Sequence, residues 1–401
     1  MALARLEYDY RHIAAKLDSD WDTREAFERT LPTLERQSSP GWPYMRQATT
    51  IDQWLFRGNI FPDPTRVDEL WVDVSRVLAG EYHHVFRAFL KMEPHLLSKA
   101  AQSRWRLIIQ SPLAVQVAWK MAVGHLERPA LANMGRHPSA YGEVWFGGGW
   151  KRFRGRMGKL GLSWCLDKSA WDWNSPGWVY EDICELRKRL TLNPNPKWEG
   201  VLDWLYRDAY VDSRVMVGSG IYQQLDPGLM KSGLYVTISD NSFAQLLLDR
   251  VVTVQLGEPF GPVIATGDDT VQRKRGDDYL RLLQLAGCVV KEVVEDYEFM
   301  GNRFTPTGPI PMYGGKHLKN ISYVEDEDLP TTLDSYLRIY AASDEFFGFF
   351  KDLSNELGIN TRSRAYYQWF LSNPEALEGM AQSPVSFFNF PDKQGPVGMI
   401  I

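Results

Sequence analysis

Four aspartates carry the chemistry most plainly. Asp167 sits in the β-rich run GLSWCLDKSAWDW (161 to 173), and Asp172 follows it in the pattern D-x-x-x-x-D. Asp268 and Asp269 come directly after Gly267, between two short β-rich runs in EPFGPVIATGDDTVQRK. Acids at strand ends and hairpin tips are poorly explained by packing. If the two strands are neighbours, Asp167 faces the Asp268-Asp269 pair. Two carboxylates about 4 Å apart repel by about 4 kcal/mol at an effective dielectric of about 20, so their approach wants a cation between them. Mg²⁺ suits such a place, because it prefers oxygen ligands and commonly takes one or two carboxylates plus substrate phosphates. Paired ions can activate an attacking oxygen and stabilise a leaving one. Turn chemistry alone also accounts for Gly-Asp-Asp, since both residue types favour hairpins. The order of motifs tells against that reading. Between the two acidic segments lies Ser232-Gly233-x-x-x-Thr237-x-x-x-Asn241, in which Thr237 and Asn241 are four apart and so share a helix face, with Ser232 at its mouth. Such a face can hydrogen-bond a sugar.

Basic residues form two groups. Lys91, Lys99, Arg104 and Arg106 occupy one segment, and guanidinium groups there suit phosphate oxygens. The run Trp150-Lys151-Arg152-Phe153-Arg154-Gly155-Arg156 mixes cations with aromatics, as single-strand binders do, although a solvated basic face has the same composition.

The surrounding elements must hold these groups in place. The run 161 to 173 predicts a strand. Asn174-Ser175-Pro176 then predicts a helix start, with Ser175 as N-cap and Pro176 in the first turn. Val179, Ile183, Leu186 and Leu190 form one apolar stripe along that helix, and Asn193-Pro194-Asn195-Pro196 ends it. The Gly-containing turn 226 to 233 opens a long helix to about residue 256, apolar all round and therefore buried. Residues 277 to 286 predict a helix ending at Gly287, and VVKEVV (289 to 294) predicts a strand. The last 85 or so residues, after TPTGPIPMYGGK, read as a separate helical lobe.

At 401 residues, with 44% hydrophobic and 24% charged residues, the composition is that of a globular α+β chain and excludes disorder over most of its length. Cys165, Cys184 and Cys288 are far apart and show no C-x-x-C, which excludes a disulfide framework and a zinc finger and fits a reducing compartment. No run approaches the roughly 20 apolar residues of a membrane span, so the expectation is a soluble, intracellular chain. A net charge of -5 does not by itself suggest a nucleic-acid partner; the local basic stripes do.

The ordered motifs resemble those of the RNA-directed RNA polymerases of positive-strand RNA viruses, in particular the sobemovirus-like and luteovirus-like group. In that resemblance LDKSAWDW is motif A, GLMKSGLYVTISDNS motif B and ATGDDTV motif C. KMEP with KAAQSRWRLI (91 to 109) is similar to motif F, AGCVVKEV to motif D and FMGNRF (299 to 304) to motif E. The resemblance implies a right-hand polymerase of fingers, palm and thumb, with an antiparallel-sheet palm flanked by helices. Residues 1–160 would hold the N-terminal region and fingers, 174–225 a fingers insertion, 161–173 and 226–312 the palm, and 313–401 a helical thumb.

It further implies that Asp167 and Asp268 hold two Mg²⁺ ions, for which Mn²⁺ can substitute, with Asp269 shaping the site. Asp172, Ser232 and Asn241 would recognise the ribose 2′-hydroxyl, with Thr237 on the same face and Gly233 freeing the backbone beside the template. Arg106 and Lys91 would hold the triphosphate, and Lys291 would protonate the leaving pyrophosphate. Lys99, Arg104, Lys151, Arg152 and Arg154 would contact RNA. The implied partners are single-stranded RNA template and nascent RNA, nucleoside triphosphates, viral replication proteins and host membranes, with no stable oligomer. The implied setting is membrane-associated replication complexes in the host cytoplasm. A reverse transcriptase shares the palm and its metals, and a non-catalytic RNA-binding scaffold could retain the same folded palm. One departure stands out: Phe243 follows Asn241-Ser242 where plant relatives tend to carry Arg.

Overall fold

The computed structural model describes residues 1–91, 97 and 101–377. Lys99 lies outside the described residues. In chain order the strands are β1 (Phe86–Leu90), β2 (Leu107–Gln110), β3 (Trp164–Lys168), β4 (Arg214–Val217), β5 (Gly220–Gln223), β6 (Val263–Thr266), β7 (Asp269–Gln272), β8 (Val290–Glu295), β9 (Glu298–Phe299), β10 (Asn302–Phe304) and β11 (Pro309–Pro311).

They form three sheets, ordered β2-β1-β4-β5, β6-β7-β3-β8 and β11-β10-β9. The second sheet is antiparallel throughout, with β3 in its interior between β7 and β8. Trp164 and Leu166 on β3 are buried, and their alternation with half-buried neighbours is the period-2 pattern of a strand with one covered face. The edge strand β8 is mostly exposed and carries Lys291, Glu292 and Glu295, charges that discourage pairing with another chain. At the opposite edge the segment 138–140 lies along β6 through Ala265 N–H to Pro138 and Ala140 N–H to the Ala265 carbonyl. In the first sheet β1 pairs antiparallel with β2 but parallel with β4, so residues 214–223 join a sheet begun far earlier in the chain.

The predicted hairpin around Gly267 forms as β6–β7, and the predicted strand 289 to 294 as β8. The strand predicted over 161 to 173 is shorter. It stops at Lys168, and the chain turns through Ala170, which takes a left-handed conformation (φ 48°, ψ 44°), into a one-turn helix, Trp171–Asn174. The next helix, Gly177–Leu190, starts after Pro176, and Ser175 does not cap it: its hydroxyl accepts the Met230 N–H instead. The predicted stripe of Val179, Ile183, Leu186 and Leu190 is fully buried. Helix Thr237–Leu256 is buried along most of its length, as its all-round apolarity requires, and ends at left-handed Gly257.

In the larger core this helix packs against helices Gly177–Leu190 and Ala2–Asp9, and helices Pro196–Tyr210 and Leu113–Ala132 pack on Gly177–Leu190 in turn. A second core joins the C-terminal helices, through Leu333, Tyr336, Phe350 and Phe370, to Trp150, Phe153 and Met157 of helix Gly149–Leu160 and to Ile264 and Val271 of the central sheet. The C-terminal helices therefore share their core with residues well upstream. Helix Gly149–Leu160 is the reason, because its apolar face has to be covered and its own cations cannot do it. Among the described residues no helix is long and apolar enough to cross a membrane.

Candidate active site

The antiparallel register brings the acids together. Leu166 is opposite Thr270, and continuing that register sets Asp167 opposite Asp269. Thr266 pairs with Asp269, which leaves Gly267 and Asp268 as a two-residue hairpin loop. Gly267 takes φ 58°, a conformation that favours glycine and explains why that residue precedes the acids. Asp268 is exposed at the tip, while Asp269 is half-buried. Burial first, and then the charge of Asp268, push the Asp269 carboxyl up to about 7; buried Lys168 works against this. Lys168 lies beneath the acids with its ammonium donating to the Leu166 carbonyl at 3.1 Å and to Thr270 Oγ1. Lys291 reaches across from β8 and pairs with Asp167 at 2.5 Å, a contact that raises the lysine's pKa. Among the described residues no three His, Cys, Asp or Glu side chains are already close enough to hold an ion. With two ammonium groups among them, the carboxylates have partial counter-charges in place.

Asp172 belongs to the same centre. Burial, followed by the charge of Asp268, pushes its carboxyl up to about 6, while Arg106 pulls it down. It lines a small cleft with Ile109, Met230 and Ser232. The Ser232 hydroxyl accepts the Ile109 N–H at 3.2 Å, tying this residue to β2. Arg106, exposed, immediately precedes β2, and its carbonyl accepts the Lys91 N–H at 2.8 Å. Arg104, two residues earlier, is exposed as well.

Gly233 is a point of close packing. It does not adopt a left-handed conformation; it lies flat against β2, its N–H bonded to the Ile109 carbonyl at 2.9 Å. A Cβ there would come within 2.6 Å of Gln110 Cα and 2.9 Å of the Ile109 oxygen, both on backbone that cannot swing aside. Gly233→Ala is therefore expected to cost about 1–3 kcal/mol of stability, the range for overpacking a filled site. Urea unfolding measures the cost, and a variant as stable as the wild type would contradict this packing.

Thr237 departs from expectation. Its hydroxyl donates to the Lys231 and Leu234 carbonyls and accepts the Leu234 N–H, so it is held within the turn before its helix. Asn241 is buried deeper on that helix, and its Oδ1 accepts the Trp171 indole N–H at 2.7 Å. In the basic stripe Lys151 and Arg152 are exposed, whereas Arg154 donates to the Phe304 carbonyl at 3.0 Å and Arg156 to that of His137 at 3.0 Å. The last two act as struts between elements.

Several contributors were not anticipated. Ser242 accepts the Gly267 N–H at 2.9 Å, so the Asn241 helix grips the hairpin loop directly. Tyr313, just after β11, has its hydroxyl pKa raised by burial and then by Asp269 and Asp167, with Lys291 and Arg106 also in range. Arg187, fully buried, binds Asp240 at 2.7 Å, Ser239 at 2.9 Å and Glu127 at 2.9 Å. Phe243 is buried against Tyr10 with ring centroids 4.6 Å apart, and its ring faces the Arg187 guanidinium. Nothing in the local sequence marks Tyr313. Asp240 and Ser242 do carry a signal, as polar residues on a helix otherwise apolar all round.

The sequence profile described as viral RNA-dependent RNA polymerase matches residues 18–285, about two thirds of the chain. The chain belongs to the viral RNA-dependent RNA polymerase family. Within that family it is 28% identical over 327 residues to Protein P2-P3 of Poinsettia latent virus, covering 75% of this chain and 29% of that protein. It is also 28% identical over 219 residues to Replicase polyprotein P2AB of Cocksfoot mottle virus, covering 51% of this chain and 21% of the other. The chain thus spans less than a third of the length of these relatives. Among solved structures, the Sicinivirus 3Dpol RNA dependent RNA polymerase superposes with a TM-score of 0.73 at 17% identity, covering 93% of this chain and 85% of that one. This family member has the right-hand polymerase fold.

Proposed function

We propose that the chain performs template-directed RNA synthesis: the 3′-hydroxyl of a nascent RNA attacks the α-phosphate of a nucleoside triphosphate, and pyrophosphate leaves. The observation that carries this is the meeting of Asp167 with the Asp268-Asp269 hairpin on neighbouring strands, in a family of RNA polymerases. The central sheet with its helices is the palm, the β2-β1-β4-β5 sheet belongs to the fingers, and the C-terminal helices form the thumb.

The acids fit a divalent cation. All three donors are hard carboxylate oxygens, and burial followed by the charge of Asp268 raises the Asp269 carboxyl against the pull of Lys168, so a cation there would be favoured. Asp167 and Asp268 would hold two Mg²⁺ ions, with Asp269 beside them. When bound, these ions supply charge stabilisation at the attacking and leaving oxygens. The chain's own residues do the rest. Lys291, paired with Asp167 on β3, would serve as the general acid that gives a proton to the pyrophosphate oxygen. Arg106, with Lys91 bonded to its backbone, holds the triphosphate by charge-assisted hydrogen bonds. Asp172, Ser232 and Asn241 receive the ribose. Lys151, Arg152 and Arg104 offer exposed cations to RNA phosphates.

Labelled ribonucleotides supplied on a short single-stranded RNA template, with Mg²⁺ and then with Mn²⁺, test the reading. Product of template-dictated length and sequence is expected. Folded protein that binds the RNA and extends nothing in either metal would overturn it in favour of a scaffold role.

A further inference from the structure

We propose that Trp171 orients Asn241 and thereby sets the preference for ribonucleotides over deoxyribonucleotides, a positioning role that rests on the polymerase reading above. Trp171 is 2% exposed and Asn241 5% exposed, and the indole N–H meets the carboxamide oxygen at 2.7 Å inside the core. An indole nitrogen can only donate. The amide oxygen must therefore face Trp171, and the amide nitrogen, with its two N–H donors, faces the other way. The direction of the Asn241 side chain is fixed by the chemistry of its neighbour and not by the shape of the amide, whose two ends are nearly the same size.

The same turn fixes Asp172. Left-handed Ala170 redirects the chain directly before Trp171, a conformation that costs about 1 kcal/mol for a residue with a Cβ. Backbone bonds from Trp173 and Asn174 to the Ala170 carbonyl, both 3.0 Å, and the Asn174 side chain on the Ser169 carbonyl at 2.9 Å hold the turn closed. Across from it, the Asp172 carbonyl accepts the Met230 N–H at 2.8 Å, which locks the turn to the loop that carries Ser232. One strained turn thus delivers an acceptor, the Asp172 carboxylate, and through Trp171 a donor, the Asn241 amide.

A 2′-hydroxyl both donates and accepts, so it satisfies the pair at once. With the amide reversed, the hydroxyl would meet two acceptors and satisfy only one. A deoxyribose satisfies neither, and sites built to bond a hydroxyl reject analogues lacking it because buried polar groups are left unpaired.

The test is Trp171→Phe, which removes the N–H and keeps an aromatic ring, assayed beside Asn241→Ala and the double variant. kcat/KM is measured for a ribonucleotide and the matching deoxyribonucleotide on one primed RNA template. Trp171→Phe is expected to lower ribose selectivity about tenfold, the scale of one lost hydrogen bond, mainly through the ribonucleotide's kcat/KM. Asn241→Ala should lower it at least as far, and adding Trp171→Phe to it should lower it no further. Unchanged selectivity in Trp171→Phe, or equal losses for both sugars, would overturn the proposal, because a purely structural tryptophan affects both substrates alike. The indole proton of Trp171 gives a second measurement on the wild type, by ¹⁵N NMR, which stands if the variant does not fold. Slow exchange with water supports the bond, and rapid exchange overturns it. Protein that incorporates no nucleotide at all would defeat the polymerase reading, while the exchange measurement would still judge the Trp171–Asn241 contact.

Discussion

Asp268→Asn is expected to reduce RNA synthesis by about a thousandfold or more while leaving the fold intact. The side chain is exposed at the tip of a two-residue loop whose geometry is set by Gly267 and by the Ser242 hydroxyl, so its replacement removes charge without disturbing packing. A carboxylate that holds a divalent ion contributes several kcal/mol to the charge balance of the transition state, and about 4 kcal/mol corresponds to about a thousandfold in rate. The variant should also show a lower Asp269 pKa, because the neighbouring charge that helps to raise it is gone. Incorporation assays with matched circular dichroism spectra decide the matter. Activity within tenfold of the wild type would remove Asp268 from the proposed metal site.

The largest effect on stability is expected at Arg187, on helix Gly177–Leu190. Its guanidinium is wholly buried and bonds to Asp240, Glu127, Ser239 and the Tyr206 hydroxyl, and Asp240 is itself fully buried with Tyr210 as a further partner. Arg187→Ala strands Asp240 as a charge without a cation, which costs about 3–5 kcal/mol in such settings. Arg187→Met combined with Asp240→Asn should recover part of that loss, since it removes the fully buried charge pair and leaves only the less buried Glu127 without its cation. Urea unfolding of the two variants measures the difference. A single variant within about 1 kcal/mol of the wild type would show that the network does not organise the core. Because Asp240 directly precedes Asn241, the single variant is also expected to lose more synthesis than its stability alone explains.

Much of this architecture is legible in the residues. The buried stripe of helix Gly177–Leu190, the β6–β7 hairpin and the buried helix that carries Asn241 all follow from periodicity and turn chemistry, because each is decided locally. What could not be read depends on which distant segment arrives as neighbour. Ser175 has the right spacing for an N-cap, but Met230, arriving from the next motif, takes its hydroxyl. Gly233 resembles a turn glycine and turns out to be a point of close approach to β2, a fact about residues 109 and 110 more than about its own surroundings. Thr237 shares a helix face with Asn241, as spacing requires, but the turn beneath it claims its hydroxyl first. Arg154 and Arg156 sit in a basic stripe, and only the tertiary packing separates them, as struts, from exposed Lys151 and Arg152. Tyr313 reaches the acids by topology alone.

The position of β3 bears on how the molecule is made. It lies inside its sheet, and both of its partners, β7 and β8, are encoded well downstream. A ribosome must therefore carry translation through residue 272 before Asp167 gains its first neighbouring strand, and through residue 295 before it gains the second. Until β7 is made the nascent chain holds a strand with two open edges and one apolar face, the kind of surface that chaperones bind and that aggregates seed upon. A chain that ends before β7 leaves β3 without either partner, so this sheet order ties the pairing of Asp167 to completion of the downstream sequence.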